Sequence, residues 1–346
     1  MLKNFKLCVF VFFAGSCLAQ TGGSENFLSI KLPSAARQAA LGGNFISISD
    51  ADLNLAYSNP AVLNPLHHHQ LGFNYNSYLA GTKYSNFSAA HHQSDLGTIG
   101  FNVQYFSYGE FTETNEFGES IGTFKPSDFK VSILGSREID SLLSIGFSLN
   151  YIGSQFYTVN ASALTLDLGV HYSMPSIQTE MGLVLKNMGV VLDEYSDNES
   201  LKLPFDIQFG VSKRLAKSPL RFTFTADNLQ RWDLTYEDPR ELNQIDPLTG
   251  ELILIEEPNF FDKLKLHMAV GTEFLLGENM HFRLGYNFRR REELKIDSRP
   301  GTAGFSWGFG LKVSKFHLNY GRGTYILGQG TNHLSIATRL GYFKKK

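Results

Sequence analysis

The feature that most limits what this chain can fold into is a recurring alternation of apolar and small polar residues with a period of two. In 142–152, Leu143, Ile145, Phe147, Leu149 and Tyr151 share one face, while Ser144, Gly146, Ser148 and Asn150 take the other. In 164–173, Leu164, Leu166, Leu168, Val170 and Tyr172 oppose Thr165, Asp167, Gly169 and His171. The same rule sets Phe282, Leu284, Tyr286 and Phe288 against Arg283, Gly285, Asn287 and Arg289, and Phe305, Trp307 and Phe309 against Ser306, Gly308 and Gly310. A side-chain period of two is what a strand with one apolar face requires. About fourteen such segments, each of roughly ten residues, can be counted. They span 71–79, 83–91, 98–108, 127–137, 142–154, 162–173, 177–188, 204–213, 220–228, 263–275, 280–290, 303–313, 315–325 and 332–343. Composition points the same way, since 32 Gly, 29 Phe and 15 Tyr favour strands and turns. A hydrophobic share of 42% excludes wholesale disorder, and a net charge of −2 offers no electrostatic footprint for nucleic acid.

Alternation alone fits a soluble sandwich as well as a membrane barrel. Two features favour the barrel. The polar face is small, with repeated Gly, Ser and Asn, which suits a crowded interior. The connectors also alternate in length: 92–97, 138–141, 174–176, 214–219, 276–279 and 314 are short, whereas 109–126, 155–161, 189–203, 229–262, 291–302 and 326–331 are longer. Short turns at one rim and long loops at the other characterise outer-membrane barrels, and closure satisfies every backbone group in lipid. The connector at 80–82 breaks the pattern. The expected fold is all-β: a 14-stranded antiparallel transmembrane β-barrel over 67–346. Both termini are expected in the periplasm and the long loops outside the cell. Tyr342 and Phe343 precede Lys344, Lys345 and Lys346, a departure from the aromatic terminal residue common in such strands.

Residues 1–19 read as a signal peptide, with Lys3 and Lys6 ahead of an apolar core at 7–15 and small residues in Cys17-Leu18-Ala19. The core is shorter than the ~20 residues a spanning helix needs. An alternative makes Cys17 an acylated residue, although the preceding Ala14-Gly15-Ser16 lacks the usual Leu. Both cysteines lie in this segment, so cleavage at Ala19 leaves neither thiol catalysis nor a disulfide.

Residues 20–66 do not alternate. Ser34 to Leu41 is rich in helix formers between a Pro-Ser start and Gly42-Gly43. A segment of this kind ahead of a barrel is expected in the lumen as a hatch, where a polar interior satisfies its backbone; a periplasmic lead is the alternative. Phe27-Leu28, Leu32-Pro33, the run Ser34-Ala35-Ala36-Arg37-Gln38-Ala39-Ala40-Leu41-Gly42-Gly43, then Ser49-Asp50-Ala51-Asp52 and Asn59-Pro60-Ala61 resemble the opening of the PorV/PorQ family. These are FadL-like outer-membrane barrels of the Bacteroidota type IX secretion system, and the Phe-Leu-x-x-x-Leu-Pro opening is closer to PorQ. The resemblance implies fourteen strands and a hatch motif at Ser34, Arg37, Gly42, Gly43, Asp50, Asp52, Asn59, Pro60 and Ala61. It implies protein transport without catalysis or cofactor. The barrel would anchor a PorZ-like surface protein in an attachment complex with PorU and PorV, which joins cargo to anionic lipopolysaccharide.

Other chemistry is weak. Ser127-x-x-Lys130 and Ser196-Asp197-Asn198 match patterns of penicillin-binding enzymes, but a strand sends Ser127 and Lys130 to opposite faces and no K-T-G follows. His67-His68-His69 and His91-His92 invite a metal reading; consecutive residues on extended chain point apart, so a polar rim cluster without metal is expected. Gly308/Gly310 and Gly321/Gly323 lie in strand-like runs, not phosphate loops. Of Arg283, Arg289, Arg290, Arg291 and Arg322, the first two are expected to face the lumen, and Arg290 and Arg291 to lie near the long-loop rim. They could pair with Asp50 and Asp52, contact lipopolysaccharide phosphates, or be ordinary solvated charge.

The acidic loop 229–262 contains Leu252-Ile253-Leu254-Ile255, an apolar run expected to dock a partner or to fold over the barrel mouth. Three functions follow: an anchor for a surface protein, a FadL-like passive transporter of hydrophobic substrates, or a soluble secreted β protein. The small polar inward face argues against a greasy lumen pocket unless the hatch supplies it.

Overall fold

The computed structural model describes residues 25–343 apart from 197–199, 236–257, 278, 296–300 and 327–328. The signal segment, Asp197-Asn198, Leu252 to Ile255 and the terminal lysines therefore lie outside the described residues. Fourteen antiparallel strands close into a barrel. In chain order they are β1 (Gln70–Ser77), β2 (Lys83–Gln93), β3 (Gly97–Ser107), β6 (Ser127–Glu138), β7 (Leu143–Phe156), β8 (Val159–Met174) and β9 (Thr179–Asp193). They continue with β10 (Asp206–Arg214), β11 (Leu220–Ala226), β12 (Met268–Leu276), β13 (Met280–Asn287), β14 (Phe305–Val313), β15 (Phe316–Ile326) and β16 (Gln329–Arg339). Between β3 and β6 a separate hairpin, β4 (Phe111–Thr114) with β5 (Ser120–Phe124), stands outside the wall. The barrel closes through β1 and β16, in register from Gln70 opposite Arg339 to Ser77 opposite Asn332.

The alternation fixes which way the wall faces. Phe147, Leu149, Phe282, Leu284 and Trp307 are exposed on the outside, while Ser148, Asn150, Arg283 and Ser306 are buried inside. An apolar belt of this extent is not tolerated in water, and it matches the lipid-facing band of a membrane barrel. No helix among the described residues is long and apolar enough to cross a membrane; the strands are the crossing elements.

The structure departs from the sequence expectation where local signals compete with period two. The segment 263–275 does not begin as strand: Asn259 caps α2 (Phe260–Leu266) by accepting from the Phe261 and Asp262 amides, and β12 starts only at Met268. Likewise β13 stops at Asn287, whose side chain accepts from the Arg290 amide and starts α3 (Phe288–Leu294). Phe288 and Arg289 therefore sit on a helix, because an Asn cap at a strand end overrides one more turn of alternation. The long-loop rim is also less uniform than its connectors suggested. β7 and β8 extend until only 157–158 join them, and 327–328 alone separates β15 from β16.

Residues 25–69 fill the lumen. Asn26 begins at the long-loop rim, where its amide donates to Lys202 O (2.8 Å) in the connector between β9 and β10. The path then crosses α1 (Ala36–Leu41) against β13–β16, reaches β9 and β10 at Ile46 and Ser47, and returns to β6–β8 at Pro60-Ala61. It leaves at the short-turn rim, where the Leu340 amide donates to His69 O. The described part of the hatch thus begins at the long-loop rim and ends at the short-turn rim.

Candidate functional site

The hatch is held by three kinds of contact. The first is a charged latch near the short-turn rim. β11, β12 and β13 lie side by side, so Arg221 faces Glu273 across one ladder and Arg283 faces Glu273 across the next. All three positions have the inward phase. Arg37 of α1 then enters the row: its Nε and one terminal nitrogen donate to the two Glu273 oxygens at 2.9 and 3.0 Å. Its terminal nitrogens donate to both Asp50 oxygens at 2.9 and 2.8 Å, and to Asp52 at 3.4 Å. Arg221 donates to Asp50 and Glu273, each at 3.1 Å, and Arg283 to Glu273 at 2.9 Å. Three guanidiniums therefore meet three carboxylates, and Glu273 is fully buried. Buried charges persist only when paired and hydrogen-bonded, a condition met here.

Arg283 thus pairs with Glu273 of the wall, not with Asp50 or Asp52; Asp50 bonds Arg37 of the hatch and Arg221 of the wall, and Asp52 bonds Arg37. The other arginines serve elsewhere. Arg289, on α3, pairs with Asp227 at 3.0 Å. Arg290 reaches Gly42 O at 2.5 Å and Ser306 at 3.1 Å, Arg291 donates to Gly301 O, and Arg322 to Asn332. Sequence reasoning missed Glu273 and Arg221. Their signal was available: each is a charge on the inward phase of a strand, and hairpin pairing puts them opposite one another.

The second contact is backbone against glycine. Asn59 is fully buried. Its amide donates to Ile46 O (2.7 Å) and Val170 O (3.2 Å), and its oxygen accepts from the Ala61 amide (3.0 Å). Pro60 starts a short 3-10 turn here. This turn lies on Gly146 and Gly169, where an added Cβ would meet the backbone of Pro60 and Ala61 or overlap Asn59 Oδ1. The Asn-Pro-Ala run is therefore a tie between hatch and wall. Asn59→Ala strands two buried carbonyls and an amide, and should cost about 2–3 kcal/mol. A lower temperature for the heat-dependent shift in gel mobility measures this; an unchanged midpoint contradicts it.

The remaining motif residues have structural places too. Gln38 Oε1 accepts from Ser34 Oγ and from the Ala35 amide, each at 3.1 Å, which starts α1 at Ala36. Gly42 ends α1 at φ 100°, a conformation costly for any residue with a Cβ. Gly43 follows beside Asn287.

The third contact is apolar. Leu41, Phe45, Ile48, Leu53, Leu55, Val62 and Leu63 of the hatch bury against Ala90, Leu134 and Ala269 of the wall. A second cluster joins Phe27 to Ile152, Ala161, Ala163 and Leu201, with Ile30, Val191, Tyr195 and Leu203 packed around it. The lumen is therefore greasy after all. In the first cluster the hatch supplies most of the bulk; in the second, Ile152 and Val191 of the wall and Leu201 and Leu203 of the connector join Phe27 and Ile30 of the hatch.

At the long-loop rim the second cluster opens into a cleft of about 420 Å³ lined by Phe27, Leu28, Tyr108, Phe156, Val159 and Tyr195. The rings of Tyr108, Phe156 and Tyr195 succeed one another at 5.9 and 6.4 Å. Asp128 forms the polar floor, accepting from Ser29 (2.6 Å), Tyr108 (2.5 Å) and Ser154 (2.5 Å). Between β9 and β10, toward the same rim, the wall is irregular. β10 pairs with β9 only from Lys186 toward the short-turn rim, so 187–193 of β9 is laddered to β8 alone among the described residues. Asn187 takes φ 58° at this break, donates its amide to Asp167 (2.7 Å) and its side chain to Pro204 O (2.9 Å). Connector residues, not strand pairing, fill the wall there. Ser127 and Lys130 do lie on opposite faces of β6, with Lys130 buried in the lumen and no shared cleft.

Neither a protein-family model nor a curated protein matches the sequence. Solved structures do. The barrel is similar to the P. putida toluene transporter TodX, with a TM-score of 0.54 at 11% identity over 88% of this chain and 98% of that one. It is similar to the monoaromatic hydrocarbon channel CymD, with a TM-score of 0.51 at 14% identity over 91% and 97%. A Pseudomonas aeruginosa FadL homologue matches at 0.44 and 11% over 91% and 98%. What the chain shares with TodX and CymD is the fold, a closed antiparallel barrel. The structures it is similar to are channels or transporters, not enzymes.

Proposed function

We propose that the protein is a passive outer-membrane channel for small hydrophobic molecules, with the short-turn rim in the periplasm and the long loops outside. The observation that carries this reading is the aromatic cleft at the long-loop rim. It adjoins the apolar Phe27–Ile152–Leu201 cluster, with which it shares Phe27 and Tyr195. A ligand leaving water gains roughly 25 cal/mol for each Å² of apolar surface it buries. TodX and CymD, whose descriptions name toluene and monoaromatic hydrocarbons, support the substrate class.

The test is uptake of a radiolabelled aromatic hydrocarbon by cells or proteoliposomes carrying the protein. Wild type should accelerate uptake over protein-free controls. Ala163→Trp, which fills the inner cluster, should reduce the gain at least fivefold while the barrel remains folded. Equal uptake with and without the protein contradicts the reading.

The attachment-complex reading rests on the hatch motif and its PorV/PorQ resemblance. It requires a surface partner, for which the outward hairpin with exposed Phe111 and Phe117 is one platform and the loop with Leu252 to Ile255 another. Deleting 240–258 should then release a PorZ-like surface protein from the membrane while leaving the barrel assembled. Retention of every surface protein in that strain removes this second reading.

A further inference from the structure

Extended chain would point His68 and His69 apart, and the structure departs from this. The 3-10 turn Pro65–His67 ends at His68, and His69 adopts φ 56° before β1 begins. A left-handed non-glycine residue is strained. It is held here by its amide donating to Ala90 O (3.0 Å) and its carbonyl accepting from the Leu340 amide (2.8 Å), where β1, β2 and the end of β16 converge. The result is that consecutive imidazoles turn to the same side, with centroids 3.8 Å apart. His91 of β2 completes the group at 4.9 and 5.1 Å from them. One ring nitrogen of each of the three lies within 4.8 Å of the others.

We propose that His68, His69 and His91 form a binding site for a late first-row divalent cation, with zinc(II) the best match. Three neutral imidazoles with a fourth position left to water make an open tetrahedral zinc site, and an all-nitrogen set also suits copper(II) and nickel(II). Zinc–nitrogen bonds of about 2.1 Å place tetrahedral ligands roughly 3.4 Å apart. The rings therefore need only small side-chain rotations to close on the ion. His91 is exposed on the outward phase of β2, so an ion reaches the site from solvent at the short-turn rim.

The other histidines of the two runs have different partners. His67 is buried and accepts from the Asn64 amide, and His92 bonds Thr98 through Nδ1 (2.9 Å). The His92 amide also donates to His68 Nδ1 at 3.2 Å. Ligation through His68 Nε2 would shift that ring's proton to Nδ1 and forfeit this long hydrogen bond, exchanging it for a metal bond. The ion would tie the end of the hatch, at His68 and His69, to the wall at His91.

The test is a zinc(II) titration of the folded, detergent-solubilised protein carrying a tag without histidines, read by calorimetry and by competition with a chromophoric chelator. One ion per chain is expected. His91→Ala, which alters an exposed side chain, should weaken binding at least tenfold, whereas His317→Ala should not change it. Cobalt(II) should give the intense visible bands of tetrahedral coordination in wild type and lose them in His91→Ala. The triple variant His68→Ala/His69→Ala/His91→Ala should bind no better than free detergent micelles. Wild-type stoichiometry well below one, or affinity unchanged by His91→Ala, overturns the proposal.

Discussion

Replacing Arg37 with alanine should turn a quiet barrel into one that flickers open. Arg37 is 4% exposed and supplies bidentate bonds to both Glu273 and Asp50. Its removal leaves three buried or half-buried carboxylates facing only Arg221 and Arg283. Breaking a buried, hydrogen-bonded ion pair from one side costs about 3–5 kcal/mol, mostly because the remaining charges stay desolvated. The apolar hatch core stays in place, so the plug is not simply expelled. At 1.4 kcal/mol per factor of ten, the population of hatch-displaced barrels should rise by roughly two to three and a half powers of ten. Planar-bilayer recordings measure this as opening frequency. Glu273→Gln should act in the same direction, since it leaves three guanidiniums with two carboxylates. The double variant should fall short of the sum, as expected for residues in one network. Conductance identical to wild type in both single variants would show that the latch does not hold the hatch.

The second large effect comes from a single methyl group. A Cβ at Gly285 would overlap the backbone of Leu41 and Gly42, and neither neighbour is a side chain that can swing aside. Overpacking a core by a methylene or two costs about 1–3 kcal/mol when side chains can adjust; here the hatch backbone itself must move, so Gly285→Ala should lie at or above the upper end of that range. Gly100→Ala is the internal control. It also faces the lumen, but its Cβ would meet Leu134 and Leu63 side chains at an ordinary 3.4 Å. It should shift the thermal midpoint by less than a third as much. Equal shifts would mean that Gly285 is small for some reason other than the hatch.

The barrel was legible because its physics is written locally. Period two with an apolar face located the wall strands; ends shortened where Asn259 and Asn287 cap short helices, while β7, β8 and β9 run further toward the long-loop rim than the alternation suggests. The lumen was harder to read. Gly146, Gly169, Gly285 and Gly321 were visible as a small inward face, but smallness looked like evidence against a greasy interior. It is the imprint of a hatch whose backbone packs onto those glycines, a long-range fact that no local window contains. Arg37 and Asp50 were visible as part of a motif. Their partnership with Glu273 and Arg221 required knowing which strands are neighbours. The expectation that His68 and His69 point apart fails for a local reason, since one left-handed residue reverses the rule for extended chain.

Everything functional depends on residues 25–69 occupying the barrel's lumen. Ser47 of the hatch and Ser212 of β10 place their hydroxyl oxygens 2.7 Å apart. In a variant carrying Ser47→Cys and Ser212→Cys, mild oxidation of intact membranes should form an internal disulfide in most chains. It would be read as a mobility shift reversed by reductant and absent from either single variant. Failure to cross-link in a barrel that is otherwise folded would place the hatch outside the lumen, and the latch, the cleft and the channel would go with it.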